Sequence, residues 1–275
     1  MGMNAEALDL VIRLKEQGYI PNHSLVGELG SQQLSNGALR AKEQLEKLGR
    51  LFGIHSVPPL PAPLPTTINE HGRERLSRDA PPASDLWRWL GLSSISLDIN
   101  DSPGTRQLDL NFDDVPIDLV GKCHLVTNFG TTEHVANQLN ALKIVHDLTA
   151  AGGIMIHKVP SQGTIDHGLI HYTPKFFWLL ARSNDYGWLW FDFAGDSVPH
   201  PMPDNLINSI RPFRPEICDV AKTYQVTNRT ITAVFAKKKE TPYVAPIDVP
   251  NDTASNSDIL LERYWSVLKS SGRTS

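Results

Sequence analysis

Polar and acidic residues follow several short apolar segments of this chain, and their types suit the binding of a nucleoside. The segment at residues 24–30, SLVGELG, carries Glu28 and Gly30 near its end, and four later apolar segments end in a similar way. In an open parallel sheet, ligands bind at the carboxyl ends of the strands. The candidate ligand-binding residues at these ends are Glu28, Gly30, Ser31, Gln32, Asp98, Ile99, Asp109, Leu110, Thr127 and Asn128.

Asp98 has the most specific chemistry among these candidates. A carboxylate at the end of a strand can accept hydrogen bonds from both hydroxyl groups of a ribose, and a second acid, Asp109, follows eleven residues later. Simpler roles stay open for both: Asp98 also suits a turn or a helix cap, and Asp109 a solvated strand end. Likewise, Gly30 suits a tight turn.

Several histidines follow the fourth and fifth apolar segments. A neutral imidazole is a suitable general base near pH 7. His167 is the first choice for a catalytic base because it is expected on the loop that roofs the site, with Asp166 nearby in sequence; His134 and His171 are the other candidates. His167 and His171 have the spacing of two metal ligands on a helix, but Gly168 between them disfavours a helix, so the presence of a metal stays undecided.

Alternating strands and helices must position these residues. Strands that alternate with helices predict a mostly parallel sheet with helices on both faces. The last two strands have no comparable helix between them and predict an antiparallel hairpin at one edge. The predicted fold is therefore a Rossmann-like α/β sheet of seven strands. The predicted strands are residues 24–30, 94–100, 105–111, 122–130, 153–160, 186–193 and 227–238, and the main helices are 5–17, 37–52, 85–92, 132–148, 174–185 and 260–270.

The length of 275 residues suits one large domain with extra segments. The core is expected at about residues 22–237, preceded by the helix at 5–17 and followed by a tail and helix at 240–275. Residues 56–65, SVPPLPAPLP, contain five prolines in ten positions and cannot form a helix interior or a central strand. Residues 53–84 are therefore predicted to be an insertion within this single domain.

Composition and charge exclude several classes of partner. A formal net charge of −4 without a strong basic run disfavours nucleic-acid binding. Two cysteines, Cys123 and Cys218, form no disulfide framework or metal-binding CxxC motif. No apolar run approaches the ~20 residues of a membrane span. We expect a soluble cytoplasmic protein with a small-molecule partner; Tyr264 and Trp265 on the terminal helix pack against the body or against a second subunit, as in a homodimer.

Five segments together resemble the class I S-adenosylmethionine-dependent methyltransferases. They are ELGSQ, LDIN, LDLN, VTNFGTTEHV and AAGGIMIHKVP, and the resemblance covers roughly residues 22–237. Glu28 and Gly30 match the first motif of that family, whereas Gln32 and Leu34 stand where two glycines are expected. The resemblance implies S-adenosylmethionine as the cofactor and implies that Asp109 and Leu110 border its adenine ring. Some members bind a metal with a Glu-x-x-Glu-His motif, but Gly130 occupies the position of its first acid.

The predicted reaction is transfer of a methyl group from S-adenosylmethionine to an oxygen or nitrogen of a small molecule. Two other functions stay open. The altered glycine motif is compatible with a degenerate methyltransferase fold that acts as a binding or scaffold subunit. A nicotinamide-dependent oxidoreductase also uses an acid after its second strand, but GxGxxG is absent and Asp98 lies 68 residues beyond Gly30 rather than ~20.

Overall fold

A computed structural model describes residues 2–64, 67–68, 74–75, 79–102, 104–162, 168–195 and 229–248. His167 and the predicted terminal helix at 260–270 lie outside these residues. Within the described ranges, no helix combines the length and the apolar character needed to cross a membrane.

A seven-stranded sheet forms the centre of the described structure. Its order is β5-β4-β1-β6-β7-β9-β8, in which the first five strands of this order run parallel and β9 runs antiparallel to both β7 and β8. This confirms the Rossmann-like sheet with an antiparallel edge hairpin. The strands are β1 Leu25–Leu29, β4 Ser93–Asp98, β5 Thr105–Gln107, β6 Cys123–Phe129, β7 Thr149–Gln162, β8 Gly187–Gly195 and β9 Arg229–Ala236; β2 Thr67–Ile68 and β3 Glu74–Arg75 form a separate two-stranded sheet.

Helices cover both faces of the sheet, because its central strands are apolar on both sides. One face packs against α1 Ala5–Glu16, α2 Asn36–Arg40, α3 Lys42–Leu51 and α4 Ala83–Trp89. The other packs against α5 Gln138–Leu148 and α6 Pro174–Ser183. Near-complete burial of β1 and β6 explains why they appear in the sequence as continuous apolar segments.

Four of the described helices, α1, α2, α5 and α6, begin at side chains that cap their first turn. Asn4 accepts a hydrogen bond from the Ala7 N–H at α1, and Asn137 accepts one from the Asn140 N–H at α5. Thr173 caps α6, whose first residue is Pro174. The cap at Asn137 also explains a difference from the sequence prediction. Residues 132–148 are a 3₁₀ turn at Thr132–His134 followed by α5, not one continuous helix.

The sheet order reverses beside β1. The chain passes from β1 to β4 on one side and later to β6 on the other, so the carboxyl ends of β1, β4 and β6 meet at one edge. Such a reversal leaves a crevice between the connections that leave in opposite directions. The loops that follow these strands therefore surround a common space.

Candidate functional site

A cavity of about 480 Å³ opens at this edge of the sheet. This volume lies within the range of small-molecule sites, roughly 300–1,000 Å³. The loops after β1, β4, β5 and β6 form its wall. Seven of the ten predicted cofactor-binding residues line it: Gly30, Ser31, Gln32, Asp98, Ile99, Asp109 and Leu110.

The Asp98 carboxylate is held in the cavity wall by three donors. Its Oδ2 atom accepts a hydrogen bond of 2.7 Å from the backbone N–H of Ser31. Its Oδ1 atom accepts bonds from the backbone N–H and the side-chain amide of Asn100, at 3.0 and 2.9 Å. An ionised carboxylate offers about four acceptor positions. Asp98 is therefore oriented by the protein and can still accept from a ligand.

Asp109 repeats this arrangement after β5. Its Oδ1 atom accepts hydrogen bonds from the backbone N–H and side-chain amide of Asn111, at 2.8 and 3.1 Å. Asn111 in turn accepts from the backbone N–H of Asn137, the cap of α5. Only Thr105–Gln107 of the predicted strand 105–111 is extended, because Asp109 begins a turn in which its carbonyl accepts from two following N–H groups. This turn places Leu110 against the cavity.

The two asparagines belong to a repeated sequence pattern. LDIN and LDLN are the same pattern, an acid followed by an amide two residues later. In both cases the acid accepts the main-chain and side-chain N–H groups of the asparagine, and both asparagines line the cavity. Side-chain turns of this kind are a known property of Asp. The repeated pattern therefore indicates two similar Asp-x-Asn turns in the lining of one cavity.

Glu28 lies in the core and does not line the cavity. It is 1% exposed, and its carboxylate accepts hydrogen bonds of 2.7 Å from Trp87 Nε1 and Ser96 Oγ. Burial raises the pKa of this carboxyl to about 7, although hydrogen bonds from Ser96, Trp87 and the Gln32 backbone oppose the shift. Glu28 therefore connects β1 to β4 and α4 beneath the site.

The raised pKa predicts a pH-dependent stability that Glu28→Gln removes. Because the folded pKa of about 7 exceeds the usual 4.5, folding favours the protonated carboxyl, and this contribution is lost as the pH rises through 7. Between about pH 5.5 and about pH 8, Glu28 accounts for a loss of about 2 kcal/mol in the free energy of unfolding. The glutamine retains its bonds because the Ser96 hydroxyl can rotate to accept.

Urea denaturation of both proteins at the two pH values tests this expectation. Other buried acids, such as Glu133, contribute equally to the wild type and the variant and cancel in the comparison. Equal pH dependence of the wild type and Glu28→Gln would contradict the expected role of Glu28.

Thr127 and Asn128 also act from below the cavity. Both are fully buried, and Thr127 Oγ1 donates to Gln32 Oε1. Asn128 Nδ2 donates to Thr132 Oγ1 at 2.8 Å, and its Oδ1 accepts from the backbone N–H of Thr131 and Thr132. The two side chains therefore support residues that reach the cavity. They do not line it themselves.

The predicted histidines His134 and His171, and a third histidine in β7, His157, lie in different places. His134, on the 3₁₀ turn after β6, lines the cavity with much of its surface exposed, and partial desolvation of its ring lowers its pKa. His171 is exposed on the segment before α6 and is not part of the lining. His157 is fully buried beside Asn128, and this burial lowers its pKa to about 3. Of these three, only His134 is placed to act on a ligand in the cavity.

No metal centre forms among the residues that the structure describes. In these ranges, no three His, Cys, Asp or Glu side chains are grouped closely enough to hold an ion. Of the pair His167 and His171, which has the spacing of metal ligands on a helix, His167 lies outside the described residues.

No family model and no curated protein sequence matches this chain. Its fold is similar to that of several solved structures at low identity. A TehB-like SAM-dependent methyltransferase from Corynebacterium glutamicum shares 15% identity over 82% of this chain and 86% of its own, with a TM-score of 0.37. A SAM-dependent methyltransferase from Archaeoglobus fulgidus shares 11% identity over 83% of this chain and 93% of its own, with a TM-score of 0.39.

A third solved structure contains a ligand. The 1,6-didemethyltoxoflavin-N1-methyltransferase of Burkholderia thailandensis, with bound 1,6-didemethyltoxoflavin and S-adenosylhomocysteine, shares 9% identity. The match covers 84% of this chain and 77% of that chain, with a TM-score of 0.42. These values describe a likeness of fold.

Proposed function

We propose that this protein binds S-adenosylmethionine in the cavity and transfers its methyl group to an oxygen or nitrogen of a small-molecule acceptor. The observation that carries the proposal is the pair of Asp-x-Asn turns, which present Asp98 and Asp109 at one end of a cavity at the reversal point of the sheet. This end has the acceptors that a ribose and an adenine amino group need.

The charge of the cavity supports this cofactor over a dinucleotide. Its lining in the described part of the chain includes Asp98 and Asp109 and neither lysine nor arginine. An acidic wall attracts a sulfonium and an ammonium group and repels a pyrophosphate, which proteins usually bind at a helix N-terminus behind a glycine-rich turn. The acidic lining of the cavity therefore fits S-adenosylmethionine better than NAD.

Each lining group has a role in this proposal. Asp98 accepts hydrogen bonds from the two ribose hydroxyl groups. The second hydroxyl can replace the side-chain amide of Asn100, which is exposed, as a donor to Asp98. Asp109 and Leu110 border the adenine, and Ile99 offers an apolar surface, 60% exposed, to the ring. When bound, the cofactor supplies an electrophilic methyl group on a good leaving group. The task of the protein is then mainly positioning.

His134 is the proposed base on the acceptor side. Its lowered pKa keeps the ring neutral near pH 7, so it can take a proton from an acceptor hydroxyl or amine. His167, which lies outside the described residues, remains a candidate for the same role, whereas His171 does not line the cavity. The net charge of −4 supports a small acceptor over nucleic acid. We propose one cytoplasmic domain over residues 1–275, with homodimer formation open.

Calorimetric titration tests the cofactor. We expect S-adenosylmethionine and S-adenosylhomocysteine to bind with one site per chain, and NADH, followed by fluorescence, to show no saturable binding. Absence of heat with both sulfur compounds, at protein concentrations that detect micromolar affinity, would exclude the proposed enzyme.

A binding or scaffold subunit is the second candidate. The departure of Gln32 and Leu34 from the two glycines of the family motif favours it. Cofactor binding without turnover on a panel of hydroxyl and amine acceptors, together with constant co-purification of a partner, would distinguish this function from catalysis.

A further inference from the structure

We propose that Gln32 is a positioning residue that holds the cofactor loop after β1 in place of the missing glycines. The loop consists of Gly30–Gln33, all of which line the cavity. This inference rests on the proposed function, because the loop is taken to border the methionine part of the cofactor. It concerns only how this chain shapes that loop.

The side chain of Gln32 is directed into the sheet. The residue is 3% exposed, and its Nε2 atom donates to the carbonyl oxygen of Thr127 at 2.9 Å. A second, longer bond of 3.4 Å joins Nε2 to the carbonyl of Leu29. Its Oε1 atom accepts from Thr127 Oγ1 at 3.1 Å. The amide therefore ties the loop to the ends of both β1 and β6.

The main chain of the loop is also held by hydrogen bonds. The carbonyl oxygen of Gln32 accepts from the Ala83 N–H at 2.8 Å. The next residue, Gln33, accepts from the Met3 N–H at 2.8 Å through its carbonyl. Contacts with two strands, with the start of α4 and with the N-terminal segment thus define the path of the loop.

This arrangement explains how the site tolerates glutamine. Glycine in a ligand-binding loop lets the main chain approach the ligand closely, at the cost of conformational freedom. Here the side chain is 3% exposed and its amide is hydrogen-bonded within the core, and these bonds restrict the loop. Restoring the glycine of the family is therefore expected to weaken cofactor binding, because it removes these bonds and frees the loop.

Four variants test the proposal. Gln32→Gly removes the amide; Thr127→Val removes only the hydroxyl that binds it; Thr127→Ser keeps that hydroxyl. The matched control is Asn184→Ala, which removes a buried amide bound to the carbonyls of Leu180 and Val244 and to the Val244 N–H, none of which lines the cavity. Affinities for S-adenosylhomocysteine and 5′-methylthioadenosine are measured by calorimetry, and stability by thermal unfolding.

The two ligands separate positioning from general loss of structure. We expect Gln32→Gly to weaken S-adenosylhomocysteine binding about tenfold and Thr127→Val about fivefold, which is the scale of one or two hydrogen bonds. 5′-Methylthioadenosine lacks the amino-acid part, so its affinity changes less than about threefold. Thr127→Ser restores near-wild-type binding, and Asn184→Ala lowers thermal stability with both affinities unchanged.

Two results would overturn the role of Gln32. One is binding of S-adenosylhomocysteine by Gln32→Gly as tightly as by the wild type, or more tightly. The other is wild-type binding by Thr127→Val when Gln32→Gly is impaired, because the effect would then not pass through Thr127. Failure of the wild type to bind either ligand is a different outcome: it removes the proposed function, and this inference with it.

Discussion

Replacement of Asp98 with alanine is expected to weaken S-adenosylhomocysteine binding by about 100-fold. A hydrogen bond to a charged group contributes roughly 1.5–3 kcal/mol, and the variant loses its acceptors for the ribose hydroxyl groups. It also removes the hydrogen bond of 2.7 Å from the backbone N–H of Ser31 to Asp98 Oδ2. The loss combines a direct contact with the ligand and a contact that orients the loop after β1. Calorimetric titration measures it.

Two further variants make this result specific. Asp98→Asn keeps the size of the side chain and one acceptor oxygen, so we expect an intermediate loss of about tenfold. Asp101→Ala removes an exposed acid of the same segment that does not line the cavity. It should leave the affinity unchanged, which controls for net charge. A loss below about threefold in Asp98→Ala would rule out the proposed contact with ribose.

Gly30→Ala is expected to lower the free energy of unfolding by about 2–3 kcal/mol. Gly30 has a φ of +72°, and a Cβ atom there would lie 2.7 Å from Thr131 Oγ1. The left-handed conformation costs a non-glycine residue roughly 1–2 kcal/mol. The contact also displaces the Thr131 hydroxyl, which donates to the Leu29 carbonyl at 2.5 Å, at a cost of about 1 kcal/mol.

Gly18 provides the matched control for this substitution. Its φ is +81°, and no atom lies within 4 Å of a Cβ built on it. Gly18→Ala therefore carries only the backbone cost, so the difference between the two variants measures the contact with Thr131. In a Thr131→Ala background, Gly30→Ala should cost no more than Gly18→Ala. Urea denaturation of the wild type, the single variants Gly30→Ala, Gly18→Ala and Thr131→Ala, and the double variant gives these three costs. Equal losses for Gly30→Ala and Gly18→Ala in the wild-type background would disprove the steric contribution.

Most of the fold followed from the pattern of apolar residues. The predicted strand at 122–130 is β6 Cys123–Phe129, and the predicted helix at 174–185 is α6 Pro174–Ser183. Errors occurred where a local hydrogen bond ends an element, as at Asp109 and Asn137. Apolar periodicity does not report such bonds, because they depend on polar side chains that a pattern of burial leaves out.

The candidate site was predictable to the extent that chain direction defines it. Parallel strands bring their carboxyl ends to one edge, so the sequence alone predicts that Gly30, Asp98 and Asp109 lie near each other. The histidines were less predictable. His134 reaches the cavity from a 3₁₀ turn, whereas His171 lies on a segment that is held by bonds from the Leu169 and Ile170 N–H groups to the Glu133 carbonyl. Such contacts between separate loops leave no signal in local sequence.

The sequence by itself determined the class of sheet, its antiparallel edge and the edge at which the polar strand ends meet. Only the tertiary structure decided which of those polar residues face the cavity. Glu28 turns away because its carboxylate accepts hydrogen bonds from Trp87 and Ser96. These partners lie 59 and 68 residues further along the chain. Thr127 turns away because its hydroxyl donates to the buried side chain of Gln32. A side chain at a strand end points toward the core or the edge according to the packing of distant segments, and local sequence does not specify that packing.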